Sequence, residues 1–344
     1  MEDFLTRVNQ KGAYIALMED LIGPIEPSDF VKDYQERLKD SLKFFNGFIS
    51  NRTSENEFAA GIVPNTNRIL EPTHLCYAGN LEKKFKIVFI GLNPFKETVF
   101  KNQEVNYFPI NTTTWEQLKE YHCPKNVEEM KKKSVYRHIT ENAFNGRKYH
   151  PCAFRVMQAL LNQEQNKTFD YWKDIKKLAK SNGNEVDDFF ITECYKHSVL
   201  HAEMIPYKSG KYNAKDSHIL IRDEKYKKFL EHLLLFIEDN TSNDAWIVFM
   251  GHQDKVKDIL EMTKDLTHIL PPQFDSFDSY CKVFSAEQPI PVPIYRFKYN
   301  GGQDINNQKN NRKVVIMPFI NNPTHGWVYL SKNGLINELK SSLA

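Results

Sequence analysis

Phe85-Lys86-Ile87-Val88-Phe89-Ile90-Gly91-Leu92-Asn93-Pro94-Phe95 is a β-branched and aromatic run that stops abruptly in Gly-Leu-Asn-Pro. A continuous apolar run of this length, bounded by turn residues, reads as a strand buried on both faces, as in a parallel sheet. Gly91 removes side-chain bulk where the strand exits, and Pro94 denies the ladder a donor. In open α/β sheets ligands bind outside the carboxyl ends of strands, which puts Asn93 on the rim where chemistry happens. Taken alone, the stretch is a buried strand followed by an ordinary turn. The rest of the chain decides whether it is more.

Working outward, three more apolar runs read as strands: Ser198 to Gly210 (ending at a Pro-containing turn), Ala245 to Gly251, and Lys313 to Phe319. Alternating runs at 280–285 and 292–299 can pair as a hairpin. Amphipathic helices are expected at 3–22, 28–49, 126–142, 151–163, 168–181, 222–239 and 252–264, with another closing the chain. Residues 50–81 read as a long connection with short extended pieces, and 97–114 as loop ending in Asn111-Thr112-Thr113-Thr114. Strands separated by helices describe an α/β fold, a three-layer sandwich around a central, mostly parallel four-stranded sheet. Residues 1–80 are then an N-terminal helical extension and residues 81–344 the α/β domain.

Composition narrows the class. The chain has 344 residues, 41% hydrophobic and 26% charged, which is ordinary for a globular protein. No run approaches the length of a membrane span, and Met1-Glu2-Asp3-Phe4-Leu5 lacks the layout of a signal peptide, so a cytoplasmic location is expected. The 5 cysteines are scattered and include no Cys-x-x-Cys pair. That argues against a disulfide framework, a structural zinc or an iron–sulfur cluster, and no metal or other cofactor is expected. A net charge of +2 does not announce a nucleic-acid binder, although a balanced total can hide a basic face. Lys131-Lys132-Lys133 reads as a solvated helix face.

Three strand ends carry side chains suited to chemistry: Gly91-Leu92-Asn93-Pro94, Glu203-Met204-Ile205-Pro206, and Asn322-Pro323-Thr324-His325-Gly326. In this order the chain resembles the uracil-DNA glycosylase superfamily. Members have a Gly-x-x-Pro turn after the first strand, a polar residue three before a Pro after the second, and a His/Asn-Pro-Ser turn after the last. The likeness is nearest to the mismatch-specific branch, with its Gly-Ile-Asn-Pro-Gly and Asn-Pro-Ser-Gly motifs, and it covers about residues 84–330. The resemblance implies a metal-independent hydrolase that flips a base out of DNA and cleaves its N-glycosidic bond.

On that resemblance Asn93 orients the attacking water, since an amide has no useful basicity. The Asn322-Pro323-Thr324 turn supplies donors to the departing base anion and to a phosphate. His325 is a further catalytic candidate, three positions later than the superfamily's His. Tyr107 and Phe108 lie where the family keeps its stacking ring, and Gly91 and Phe95 line the first turn. Phe95 departs from the Gly that the mismatch-specific branch keeps there. Lys208, Lys211 and Arg312 are candidates to track the phosphate backbone.

The sharpest departure is Glu203, where family members place an Asn that pairs with the edge of uracil. An ionised carboxylate only accepts hydrogen bonds, so it favours a base bearing an amino group. His201, two residues back on the same strand face, is a partner for Glu203 or a core residue. The alternative is a catalytically degenerate member that binds nucleic acid or a partner protein. An unrelated nucleotide-binding α/β enzyme is disfavoured, because neither Gly-x-Gly-x-x-Gly nor Gly-x-x-x-x-Gly-Lys-Ser/Thr occurs.

Overall fold

The structure is a computed structural model that describes residues 2–24, 76–78, 83–92, 115–133, 186–204, 224–251, 277–283, 292–297 and 312–318, with isolated helical positions at 153, 156–157, 180–181, 256 and 259–260. Its elements in chain order are helices α1 (Glu2–Lys11) and α2 (Ala13–Ile22), strands β1 (Cys76–Ala78) and β2 (Phe85–Gly91), and helices α3 (Trp115–His122) and α4 (Val127–Lys133). Helix α5 (Val186–Lys196), strand β3 (Val199–Glu203), helix α6 (Glu224–Asn240) and strand β4 (Thr241–Gly251) come next. Strands β5 (Phe277–Val283), β6 (Val292–Phe297) and β7 (Lys313–Pro318) complete them.

Among the described residues, seven strands form one sheet in the order β1-β3-β2-β4-β7-β6-β5. The contacts β3–β2, β2–β4 and β4–β7 are parallel, and β1, β6 and β5 join antiparallel at the two edges. The fold is therefore α/β with parallel strands at its centre, and the sheet is wider than the four strands expected. The physical reason lies at the edges. β1 has only three residues, too few to show a period, and the 280–299 hairpin reveals nothing in sequence about which sheet it joins.

β2 is central and buried on both faces, with only Lys86 exposed along its length. Phe85, Val88 and Ile90 pack with Leu200, Ala202, Ile247, Phe249, Val314 and Ile316 into the main core. Helices α2 and α6 supply the other side of that core through Ile15, Leu17, Met18, Phe229, Leu233 and Phe236. On the opposite face, Ile87, Phe89, Val199 and Val248 are also buried. There Phe190 of α5 stands edge-on to His201, with ring centroids 6.4 Å apart.

The expected helix at 3–22 is two helices. Gly12 breaks it, with φ at 90°, a conformation that favours glycine. A Cβ there would also meet the Lys119 side chain at 3.4 Å. The turn lets α1 fold back on α2, where Arg7 reaches Glu19 at 3.2 Å, Asp20 at 3.0 Å and the Ala16 carbonyl at 2.8 Å. Asp20 in turn lies 2.6 Å from Nδ1 of His232 on α6, and Phe4 stacks on that imidazole at 4.3 Å. Helix α3 has no counterpart in the sequence reading, which places loop up to Thr114 and no helix until Asn126. Helix α4 starts where expected, with Asn126 accepting from the Glu129 amide at 2.9 Å while Glu129 accepts back from the Asn126 side chain. The expected helix at 28–49 lies outside the described residues, as do the one closing the chain and all but the last two positions, 180 and 181, of the one at 168–181.

Candidate active site at the carboxyl edge of the sheet

The four parallel strands finish together. Gly91 stands in register with Glu203 on one side and Met250 on the other, and Gly251 pairs with Pro318. From β2 the chain moves outward to β3, then returns to the other flank of β2 to form β4. That reversal makes the carboxyl ends of β2 and β4 the topological switch point, where open parallel sheets take their ligands.

Gly91 and Glu203 are the two sequence candidates that the structure brings together. A Cβ built on Gly91 would lie 2.7 Å from the Glu203 carboxyl carbon and 2.8 Å from its Oε1, with Oε2 closer still. Gly91 is thus required by its neighbour: the space a side chain would fill belongs to the Glu203 carboxyl group. Backbone contacts lock the pair. The Met204 amide donates to the Gly91 carbonyl at 2.9 Å, and the buried Tyr226 hydroxyl donates to the Met204 carbonyl at 3.0 Å. Upstream, the two-residue turn into β3 passes through Ser198 at φ 49°, where its amide bonds the Tyr195 carbonyl at 3.2 Å. A non-glycine residue in that region is uncommon, and here it sets where β3 begins.

Electrostatics at Glu203 differ from the expectation. The residue keeps some exposure as a whole, but Oε2 is buried and has no hydrogen-bond partner among the described residues. Burial pushes the carboxyl up to about 8, because the charged form loses its hydration and no described residue replaces it. An ionised Glu203 at neutral pH, the premise behind an amino-bearing base, is therefore disfavoured. A neutral carboxylic acid offers one donor and one acceptor. His201 on the same face is almost fully buried and stacks on Phe89 at 5.3 Å, which places it in an aromatic layer below the edge.

Arg312 does not belong to a phosphate-tracking surface. It is 7% exposed, and its guanidinium donates to Thr241 Oγ1 at 2.9 Å and to the Glu238 carbonyl at 3.0 Å. It closes the last turn of α6 at the amino end of β4, the opposite edge from Gly91. A run of neighbouring cations suggested an exposed role, but the carbonyls left open by a helix end compete for a guanidinium and win here.

Asn93, Phe95, Tyr107, Phe108, Lys208, Lys211, Asn322, Pro323, Thr324 and His325 lie outside the described residues. Sequence reasoning missed Tyr226, whose hydroxyl fixes the end of β3; a tyrosine in the first turn of an amphipathic helix carries no mark of such a task. A cavity of about 310 Å³ lies between Gly12, Tyr14, Lys119, His122, Phe236 and Asn240, at the other end of the sheet from Glu203. Among the described residues, no three His, Cys, Asp or Glu side chains are grouped to hold a metal ion. No described helix is long and apolar enough to cross a membrane. Comparisons with known proteins return no match, whether to family models, curated proteins or solved structures.

Proposed function

We propose that this chain is a DNA glycosylase built as a three-layer α/β sandwich and acting in the cytoplasm, which hydrolyses the N-glycosidic bond of a base flipped out of DNA. Breaking that bond builds positive charge on the sugar and negative charge on the base, and then consumes a water. Asn93 orients the water, while Asn322, Thr324 and His325 face the developing base anion with their donors. Tyr107 or Phe108 stacks on the flipped base, and Lys208 and Lys211 follow the phosphates. An orienting amide suffices because a cation-like sugar accepts a weak nucleophile.

One observation carries the reading. Gly91, two residues before Asn93, and Glu203, three before Pro206, sit side by side at the switch point of a parallel sheet. Two of the three motifs that carry the resemblance thus start from one place, at the edge where such sheets do chemistry.

The test uses single-stranded and duplex oligonucleotides carrying uracil, hypoxanthine, mismatched thymine or modified cytosine, with alkali to convert abasic sites into breaks. Breaks at one or more of these bases are expected from the wild type. No breaks at any of them, alongside salt-sensitive DNA binding, would leave the degenerate reading: a nucleic-acid-binding protein on the same scaffold.

A further inference from the structure

Glu203 is placed for more than reading a base. Its carboxyl group lies over Gly91 at the switch point, in the space that a missing Cβ leaves. Oε2 is buried there with no partner among the described residues. A buried polar atom without a partner costs free energy unless a ligand completes it.

Among the described residues, the groups around it leave it available to act as an acid. On its own strand face His201 stacks on Phe89 and meets Phe190 edge-on, and on β2 the facing residues are Gly91, Phe89 and Ile87. From α5, which packs against β3, Cys194 is buried and pushed well up by burial and by Glu193; Asp188 and Glu193 are partly exposed on that helix. From α6, Tyr226 spends its hydroxyl on Met204. Burial is what raises Glu203, to about 8, so the acid is neutral under ordinary conditions. A carboxylic acid held neutral can donate a hydrogen bond to a developing oxyanion.

We propose that Glu203 donates its proton to the departing base, which makes this a site for bases whose leaving charge lands on a ring carbonyl oxygen. The proposal rests on the glycosylase reading. As the N-glycosidic bond breaks, its electron pair passes to the ring nitrogen and is delocalised onto the carbonyl oxygen. The Glu203 proton moves onto that oxygen, the base leaves as a neutral tautomer, and Glu203 is left as carboxylate. Water adds to the sugar carbon and gives up a proton that restores the acid, so the sum is base, sugar hydroxyl and unchanged enzyme.

The experiment has two arms, each run on wild type and on Glu203→Gln, whose folding is checked by thermal melting. In the first, excision of uracil from an oligonucleotide is followed from about pH 6 to about pH 9, below the ionisation of the uracil ring N–H. Wild-type rates should fall about tenfold per unit above about pH 8, whereas Glu203→Gln should be slower by roughly 100-fold or more with a flat profile. In the second, binding of free uracil is measured by calorimetry at both ends of that range. Wild type should bind uracil better at the acid end, and Glu203→Gln should bind it equally at both.

Excision that is undiminished at the alkaline end, or a Glu203→Gln profile matching wild type, overturns the proton-donor role while the glycosylase reading stands. Absence of uracil excision at any pH overturns the proton transfer onto a uracil carbonyl, whereas the glycosylase reading falls only if none of the other bases is excised either. In that case pH-dependent uracil binding by wild type alone upholds Glu203 as the neutral donor. Uracil binding that ignores pH, or that is absent, overturns that too.

Discussion

A methyl group at Gly91 has nowhere to go while the Glu203 carboxyl stays in place. Gly91→Ala should destabilise the fold by about 1–3 kcal/mol, the usual cost of overpacking, and also push Glu203 out of position. Denaturant unfolding and the excision assay together check this, and the variant should lose more activity than stability alone accounts for. A second prediction concerns acid–base linkage. Burial raises Glu203 from the ordinary 4.5 to about 8, so between those values the folded chain holds a proton that the unfolded chain releases. Stability from this group is thus greatest at low pH, declines as pH rises through that window and levels off above it. Glu203→Gln should remove a slope on the order of 1 kcal/mol per pH unit, measured by urea unfolding at several pH values. Equal slopes in both proteins would mean that Glu203 ionises freely. At this scale the sequence was informative about which residues meet and silent about their state. The run Ala202-Glu203-Met204 shows a carboxylate among apolar neighbours, but only the register with Gly91 reveals that it is buried.

At the scale of elements, the parallel strands were legible because each is a run of apolar residues longer than a turn allows, buried by neighbours on both faces. The edges were not, since a strand of three residues such as β1 takes its pairing from β3 rather than from its own pattern. Helix α3 was missed because the threonine-rich run before it reads as loop, although that composition also suits a helix start. Arg312 belongs to the same lesson, being a cation whose partners are backbone carbonyls of another element. Arg312→Ala should cost about 1.5–3 kcal/mol for each charged hydrogen bond lost, while the salt dependence of DNA binding stays as in wild type. A reduced salt slope at unchanged stability would return Arg312 to the phosphate-binding set. Asp20 fastens α2 to both α1 and α6 through Arg7 and His232. Removing it takes the carboxylate from the buried His232 and leaves the half-buried Arg7 with Glu19 and the Ala16 carbonyl, and Asp20→Ala should lose about 1.5–3 kcal/mol in equilibrium unfolding, the worth of a charged hydrogen bond.

At the scale of the molecule, the N-terminal helices share one apolar cluster with the sheet. Phe4, Ile15, Leu17 and Met18 are packed with Phe85, Val88 and Phe236 in that cluster. A chain beginning after residue 24 should therefore expose apolar surface and melt without cooperativity, a result read from calorimetry. The parallel strands also set the two edges of the sheet apart. The switch between β2 and β4 gathers strand ends at Gly91 and Glu203, whereas at the opposite edge Arg312 caps the end of α6.

The measurement that bears most directly on this account is single-turnover excision by wild type and Asn93→Ala on the base that wild type cleaves best. If the carboxyl edge of β2 holds the attacking water, the variant should cut about 100-fold more slowly or worse, because a misplaced nucleophile forfeits that much. Its melting temperature should match wild type. An Asn93→Ala protein that excises the base at the wild-type rate would contradict the account.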